Sequence, residues 1–324
     1  MKAKKRRKRD DGEMTQNVRK AGLVLEGGGM RGVFTAGVLD FFLEEDIQFD
    51  TCIGVSAGSC LACSYLSKQY RRGYRTVTGY LDDPRYCGMG SFFKTGDYFG
   101  AEMLYKTIPD ELDPYDHKAF LDNPTKFYAV VTNCETGQAE YKRIRDLRRE
   151  ICYTRASSSL PLMSRTLWIR KKPYLDGGIT DSIPIRRSES LGNEKNVVIL
   201  TRGREYRKQK NQMMPLMRLR YGRQFPKLVE RMENRHLDYN ETLDHLYREE
   251  KEGKVFLIQP PAPVEIGRLE KDGKKLEALY CQGYETAKRQ AEALKKYLED
   301  ESVSSQEKTN IDILNYVTET ESFL

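Results

Sequence analysis

Short apolar runs alternate with amphipathic stretches along the first part of the chain. Residues 21–26, AGLVLE, make a strand-length apolar run closed by an acid. From Met30 to Glu45, the apolar Val33, Phe34, Val38, Phe41 and Phe42 recur at helical spacing. Residues 50–55, DTCIGV, predict a second buried strand, and SAGSCLACSYLSKQ predicts a second helix. Strand, glycine turn, helix, strand, tight turn, helix is the rhythm of an α/β domain with a parallel sheet.

The pattern loosens over residues 70–125, which are rich in Tyr, Gly, Pro and Asp and predict an irregular insertion with short helices. Residues 126–143 then predict two strands around ETGQ, and a helix is expected over 145–156. Further strands are expected at 171–178, 196–202 and 254–260. The stretches 203–250 and 273–299 are charged and predict helices. With no internal repeat and no low-complexity linker, one domain is expected. Residues 20–202 would form its α/β core and 203–299 its helical and strand C-terminal part. An acidic tail over 300–324 and a basic disordered arm over 1–19 complete the layout.

Charge changes this picture only at the arm. Residues 1–9 carry seven Lys or Arg, and removing those leaves 48 basic residues against 48 acids. A run of this kind reads as a solvated arm; the competing reading has residues 2–9 touch an anionic membrane surface, where each basic residue contributes roughly 1 kcal/mol. No nucleic-acid role is expected, because the charge comes with no supporting motif. No stretch approaches the roughly 18 apolar residues of a membrane span, and the basic start is not followed by an apolar signal core. A cytoplasmic protein is expected, with peripheral membrane association as the alternative. The seven cysteines then read as reduced thiols. Cys60 and Cys63 share a helix face, and with no second pair or His cluster they are read as packing residues rather than metal ligands. No metal and no cofactor is expected.

The candidate chemistry begins at LVLEGGGMRGVF, residues 23–34. Gly27, Gly29 and Gly32 satisfy G-x-G-x-x-G, but a dinucleotide site needs an acid at the tip of the second strand. That strand ends IGVS, and Asp50 lies at its wrong end. The alternative is an oxyanion hole spanning Gly27, Gly28, Gly29, Met30, Arg31 and Gly32. Backbone N–H groups at a helix start stabilise the negative charge that develops on an acyl carbonyl, each worth about 3 to 4 kcal/mol. Arg31 either orients this loop or holds an anionic headgroup.

The second strand supplies a matching nucleophile. Gly54-Val55-Ser56-Ala57-Gly58 is G-x-S-x-G between a strand and a helix, the context of a nucleophile elbow. The three histidines, His117, His236 and His245, follow no predicted strand and read as surface residues. The base expected for Ser56 is instead Asp176, in Asp176-Gly177-Gly178 at the end of a strand. Burial beside Ser56 would raise its pKa and suit it to proton abstraction. A competing role for Asp176 is to cap the turn that follows.

Together these stretches resemble the patatin-like phospholipases, lipid acyl hydrolases with a Ser–Asp dyad. The resemblance rests on Glu26 to Gly32, Gly54 to Gly58 and Asp176 to Gly178, with Ala156-Ser157-Ser158-Ser159-Leu160-Pro161 similar to a small-residue stretch ahead of the Asp strand. It covers roughly residues 20–202. Glu26 stands where the family usually has Asp, which should touch loop orientation. The resemblance implies a mostly parallel central sheet flanked by helices on both faces. It implies Ser56 as nucleophile and Asp176 as proton acceptor, with the glycine-loop amides holding the oxyanion. It also implies a lipid or acyl-ester substrate. The runner-up is a lipid- or anion-binding protein that keeps the fold but turns over little.

Overall fold

A computed structural model describes residues 21–299. The expectations for the basic arm and the acidic tail lie outside the described residues. Among the described residues, eight strands form one mixed sheet. They are β1 (Ala21–Leu25), β2 (Thr51–Val55), β3 (Lys126–Asn133), β4 (Gln138–Ile144), β5 (Leu167–Ile169), β6 (Lys172–Asp176), β7 (Lys195–Ile199) and β8 (Val255–Ile258). The order β8-β7-β1-β2-β3 runs parallel throughout. Antiparallel β4, β6 and β5 complete it beyond β3.

Side chains alternate across this sheet, so each strand feeds two cores. Leu23, Leu25, Val197 and Ile199 pack with helix α1 (Val33–Glu44) and the helix Gly273–Arg289. Val24, Val198 and Leu257 point the other way, against Tyr239, Leu243 and Leu246 of the long helix Pro226–Lys251. Helices thus cover both faces, and the parallel strands read as continuous apolar runs because both faces are dry. Helix α1 and the helix Gly273–Arg289 cross at two glycines. A Cβ on Gly37 would lie 2.1 Å from the Tyr280 carbonyl oxygen, and one on Gly283 would lie 2.1 Å from that of Phe34. Only bare backbone allows so close an approach.

The join at β3 positions the site. Strand β4 occupies one edge of β3 from Phe127 to Asn133. The opposite edge is shared: β2 pairs with it as far as Val55 opposite Val130, and β6 takes over at Asp176 opposite Val131. Since β2 runs parallel and β6 antiparallel to β3, their C-terminal ends meet head to head.

Two elements differ from the sequence expectation. The stretch 203–213 is an extended loop rather than helix, and helices follow only at Met214–Tyr221 and Pro226–Lys251. Its backbone is held to the long helix instead, where Asn240 accepts from Lys208 N at 2.8 Å and donates to Lys208 O at 3.0 Å. The hairpin β5–β6 was not anticipated. Its turn residues Arg170 and Lys171 both have positive φ, 50° and 66°, a conformation usually marked by Asn or Gly. The insertion contains the short helices Arg72–Thr78, Met89–Thr95 and His117–Asp122 and the π-helical Met103–Leu112. It is tied down by Arg72, fully buried, whose Nη1 donates to Ser64 at 3.0 Å while its guanidinium stacks on Tyr115.

Candidate active site

Helix α2 (Ala57–Leu66) starts immediately after β2, and Ser56 occupies the corner between them. Its backbone has φ 53° and ψ −125°, a region that L residues rarely adopt. The surroundings hold it there. Ser56 N donates to Ser157 Oγ at 2.9 Å, and Ser59 Oγ returns a hydrogen bond to Ser56 O at 2.7 Å. The small neighbours are steric necessities. A Cβ on Gly58 would lie 2.6 Å from the carbonyl oxygen of Leu25 and 2.9 Å from that of Glu26. Gly54 packs against the backbone of Ser59, while Ala57 faces Gly32 of the glycine loop.

The head-to-head meeting of β2 and β6 places Ser56 against Asp176. Ser56 Oγ donates to Asp176 Oδ2 at 2.7 Å, across 120 positions of sequence. The other carboxylate oxygen accepts from Gly178 N at 2.7 Å. Asp176 therefore caps the turn and faces Ser56 at once, so the two roles weighed from sequence coexist. Gly177 presses on the Val130 carbonyl oxygen, which a Cβ would approach to 2.1 Å. Burial pushes the Asp176 carboxyl up from its ordinary value, and the Ser56 hydrogen bond and the Arg235 charge only partly counter that.

The glycine loop runs from β1 past Ser56. Gly29 has φ +57° and opens a 3-10 turn over Gly29–Gly32 that leads into α1. Met30 N, expected among the free donors, already donates to the Arg268 carbonyl at 3.2 Å, and Arg31 N to Gly28 O at 3.4 Å. This narrows the expected set: the amides of Gly27, Gly28 and Gly29 are left without a hydrogen-bond partner among the described residues. Glu26 is buried and braces the loop. Its Oε2 accepts from Thr201 N at 2.7 Å and Thr201 Oγ1 at 2.9 Å, and its Oε1 accepts from Tyr239 OH at 2.7 Å.

Two different cavities open on Ser56. One, of about 130 Å³, is mainly apolar and lined by Met30, Leu61, Val77, Phe99, Leu104 and Ile108 among others. Cys60 faces it, 3.4 Å from Ser158 Oγ and 3.6 Å from Tyr105 OH, and burial raises its thiol pKa. Cys63, one turn further along α2, is buried, with its thiol on Ser59 O. The second cavity is polar and small, about 30 Å³, and lies on the glycine-loop side. Its walls carry Arg31, Arg202, Lys208, Arg235 and Arg268. The cationic set was missed from sequence except for Arg31. Arg235 and Tyr239 sit four apart on one helix face, but in ENRHLDYN nothing separates them from ordinary surface polarity.

The histidines lie apart from this pair. His245 is not the surface residue expected: its Nε2 lies 2.9 Å from Glu189 with the ring largely covered. His236 lines an outer cavity of about 400 Å³ that adjoins the polar one. Among the described residues, no cluster of His, Cys, Asp or Glu is arranged to hold a metal ion. No described helix is long and apolar enough to cross a membrane.

A mostly parallel α/β sheet with a serine elbow facing an aspartate is the frame of the patatin-like hydrolases. The sequence model of that family, Patatin-like phospholipase, matches residues 23–187, and the chain belongs to it. A second family model, a domain of unknown function (DUF6363), matches residues 225–299. Among relatives, an uncharacterized protein of Escherichia coli, YjjU, is 26% identical over 264 residues, covering 79% of this chain and 72% of that protein. The lysophospholipase nte1 of Aspergillus niger is 30% identical over 184 residues. That match takes in 54% of this chain but only 11% of the fungal protein. Among solved structures, VipD from Legionella pneumophila aligns with a TM-score of 0.41 at 12% identity, covering 84% of this chain and 67% of that one. Family membership supports a lipid hydrolase.

Proposed function

We propose that this protein hydrolyses carboxylic esters of lipids through an acyl-enzyme on Ser56. The observation that carries the reading is the 2.7 Å hydrogen bond from Ser56 Oγ to Asp176 Oδ2 at the mouth of an apolar cavity. Asp176 accepts the Ser56 proton as Oγ bonds to the acyl carbon. The carbonyl oxygen becomes an oxyanion, and the Gly28 and Gly29 amides point to where its charge is stabilised. The C–O bond to the leaving alcohol then breaks, and Asp176 returns the proton to that alcohol oxygen. In the second half, water loses a proton to Asp176 and attacks the acyl carbon. The bond to Ser56 Oγ breaks as the proton passes to it, releasing a fatty acid and restoring the pair.

The electrostatics fit this cycle. A carboxylate whose pKa burial has raised is a stronger base than one in water. Ser56 N is already committed to Ser157, whereas the glycine-loop amides are free to bind an oxyanion. The acyl chain would occupy the apolar cavity, with the leaving alcohol toward the polar one.

Turnover of a panel of lipid esters by wild type beside Ser56→Ala tests the proposal, with fluorophosphonate labelling of residue 56 as the direct chemical probe. Labelling and turnover that both vanish in Ser56→Ala support it. A wild-type protein that binds lipid but neither labels nor turns over would be the binding protein of the alternative reading.

A further inference from the structure

We infer that the polar cavity beside Ser56 is a binding site for the phosphate of the lipid substrate. The reading rests on the proposed esterase chemistry and adds a substrate class: anionic acylglycerol phosphates rather than neutral acylglycerols. The cavity gathers five cationic side chains around Ser56 and Asp176. Only two carboxylates line it, and both are taken. Glu26 is held by Thr201 and Tyr239, and Asp176 by Ser56 and Gly178. Among the described residues none of the five cations forms a salt bridge, whereas the nearby Arg204 and Arg207 pair with Glu250 and Asp244.

An unpaired cation withdrawn from water is costly unless a ligand supplies the missing charge; Arg31 is buried, Arg202, Lys208 and Arg235 are half-buried, and Arg268 is exposed. Arg31 is 5% exposed, and its Nε has no hydrogen-bond partner. The Nε atoms of Arg202 and Arg235 are likewise unpartnered. Lys208 rests its ammonium 4.0 Å over the Tyr239 ring. Burial and then the Arg235 charge hold its pKa down to about 6. Burial and then the charge of Arg202 bring Arg31 down to about 10. An oxyanion entering the cavity would relieve this repulsion. Guanidinium forks suit phosphate oxygens in particular, since they bind them in pairs.

Placement also fits one lipid spanning both cavities. Gly29, Ser56 and Leu160 line the apolar and the polar cavity alike. An ester carbonyl at Ser56 would thus send its acyl chain one way and its glycerol phosphate the other. The polar cavity shares Tyr206, Lys208, Arg235 and Arg268 with the outer 400 Å³ cavity, where Gln209, Asn211 and His236 offer polar contacts to a headgroup. Four of the five cations come from beyond residue 187, outside the stretch matched by the family model.

The test compares a 1-acylglycerol 3-phosphate with the 1-acylglycerol of the same acyl length, as monomers. Calorimetric binding is measured on Ser56→Ala, and turnover on wild type, Lys208→Gln and Arg268→Gln. The expected result is a preference for the phosphate of about tenfold or more in both binding and kcat/KM, with the kcat/KM preference dropping about threefold or more in each cavity variant. Arg268→Gln removes an exposed cation with no salt bridge, and Lys208→Gln removes a half-buried amine that a bound phosphate would draw into its charged form, so thermal melting should show both variants folded. Equal binding of the two lipids, or a preference that survives both substitutions, would overturn the inference. Inorganic phosphate binding as tightly as the lipid phosphate would make this a free-phosphate site and end the lipid assignment. Selective binding by Ser56→Ala without wild-type turnover of either lipid would uphold this site and sink the esterase reading instead.

Discussion

The apolar cavity sets a measurable acyl-length dependence. Its volume is about 130 Å³, close to the engineered cavity of about 150 Å³ that accepts benzene. It therefore has room for roughly six carbon atoms. Each methylene moved from water into such a space contributes about 0.8 kcal/mol, or about fourfold in kcat/KM when the contact is made in the transition state. Going from an acetyl to a hexanoyl ester adds four methylenes, about 3 kcal/mol and about 200-fold. Longer chains must run out along the open mouth and should gain far less per carbon. The perturbation is Ala101→Phe, which adds a ring to the cavity wall. Stopped assays on p-nitrophenyl esters from two to twelve carbons would give kcat/KM for both proteins. The break in slope should move to shorter chains in the variant, while the acetyl ester is affected least. A flat length profile in wild type, or a break that stays in place in Ala101→Phe, would show that the acyl chain does not bind here.

The remaining predictions concern the pair and its supports. Because burial favours neutral Asp176, the acid limb of the kcat/KM profile should lie above the ordinary carboxylate value of about 4, with activity rising as Asp176 ionises. The same raised pKa contributes stability at low pH that is lost as pH rises through it. Asp176→Asn should therefore be inactive yet gain in Tm relative to wild type between about pH 4 and about pH 8, and a constant difference across that range would contradict the assignment. Ser157→Ala strands the buried Ser56 N–H at a strained residue, at a cost of about 1 to 3 kcal/mol, so both Tm and kcat should fall. Unchanged values for both would mean that water or a shifted backbone replaces the hydroxyl. Gly58→Ala drives a methyl into the Leu25 and Glu26 carbonyls and should cost about 1 to 3 kcal/mol or more in denaturant unfolding, a loss that a neutral result would rule out.

What could be read from the chain follows physical range. The parallel strands and α1 were legible because their cues are local: apolar runs, helical spacing, and glycine at the turns. The turn at Arg170 and Lys171 was not, because it forces two long-chain residues to positive φ, and tertiary contacts rather than local preference hold them there. The loop 203–213 has helix-forming composition but is bound through its backbone to Asn240, a partner invisible at that distance. At the site, Ser56 and Asp176 carried motifs, and the structure brings them together. Lys208, Arg235 and Arg268 carried none, since a lone cation in a charged segment looks the same whether it faces solvent or a cavity. The engagement of the Met30 amide by Arg268 was equally out of reach.

The end-to-end placement of β2 and β6 along β3 has a bearing on what fixes the reacting pair. Val130 and Val131 are covalent neighbours, so the spacing of the two strand tips is dictated by a single peptide unit. The excursion over residues 70–125 leaves and rejoins the sheet between β2 and β3 without entering this register. Such a jig sets the Ser56–Asp176 contact by the sheet itself rather than by the cavity walls around it.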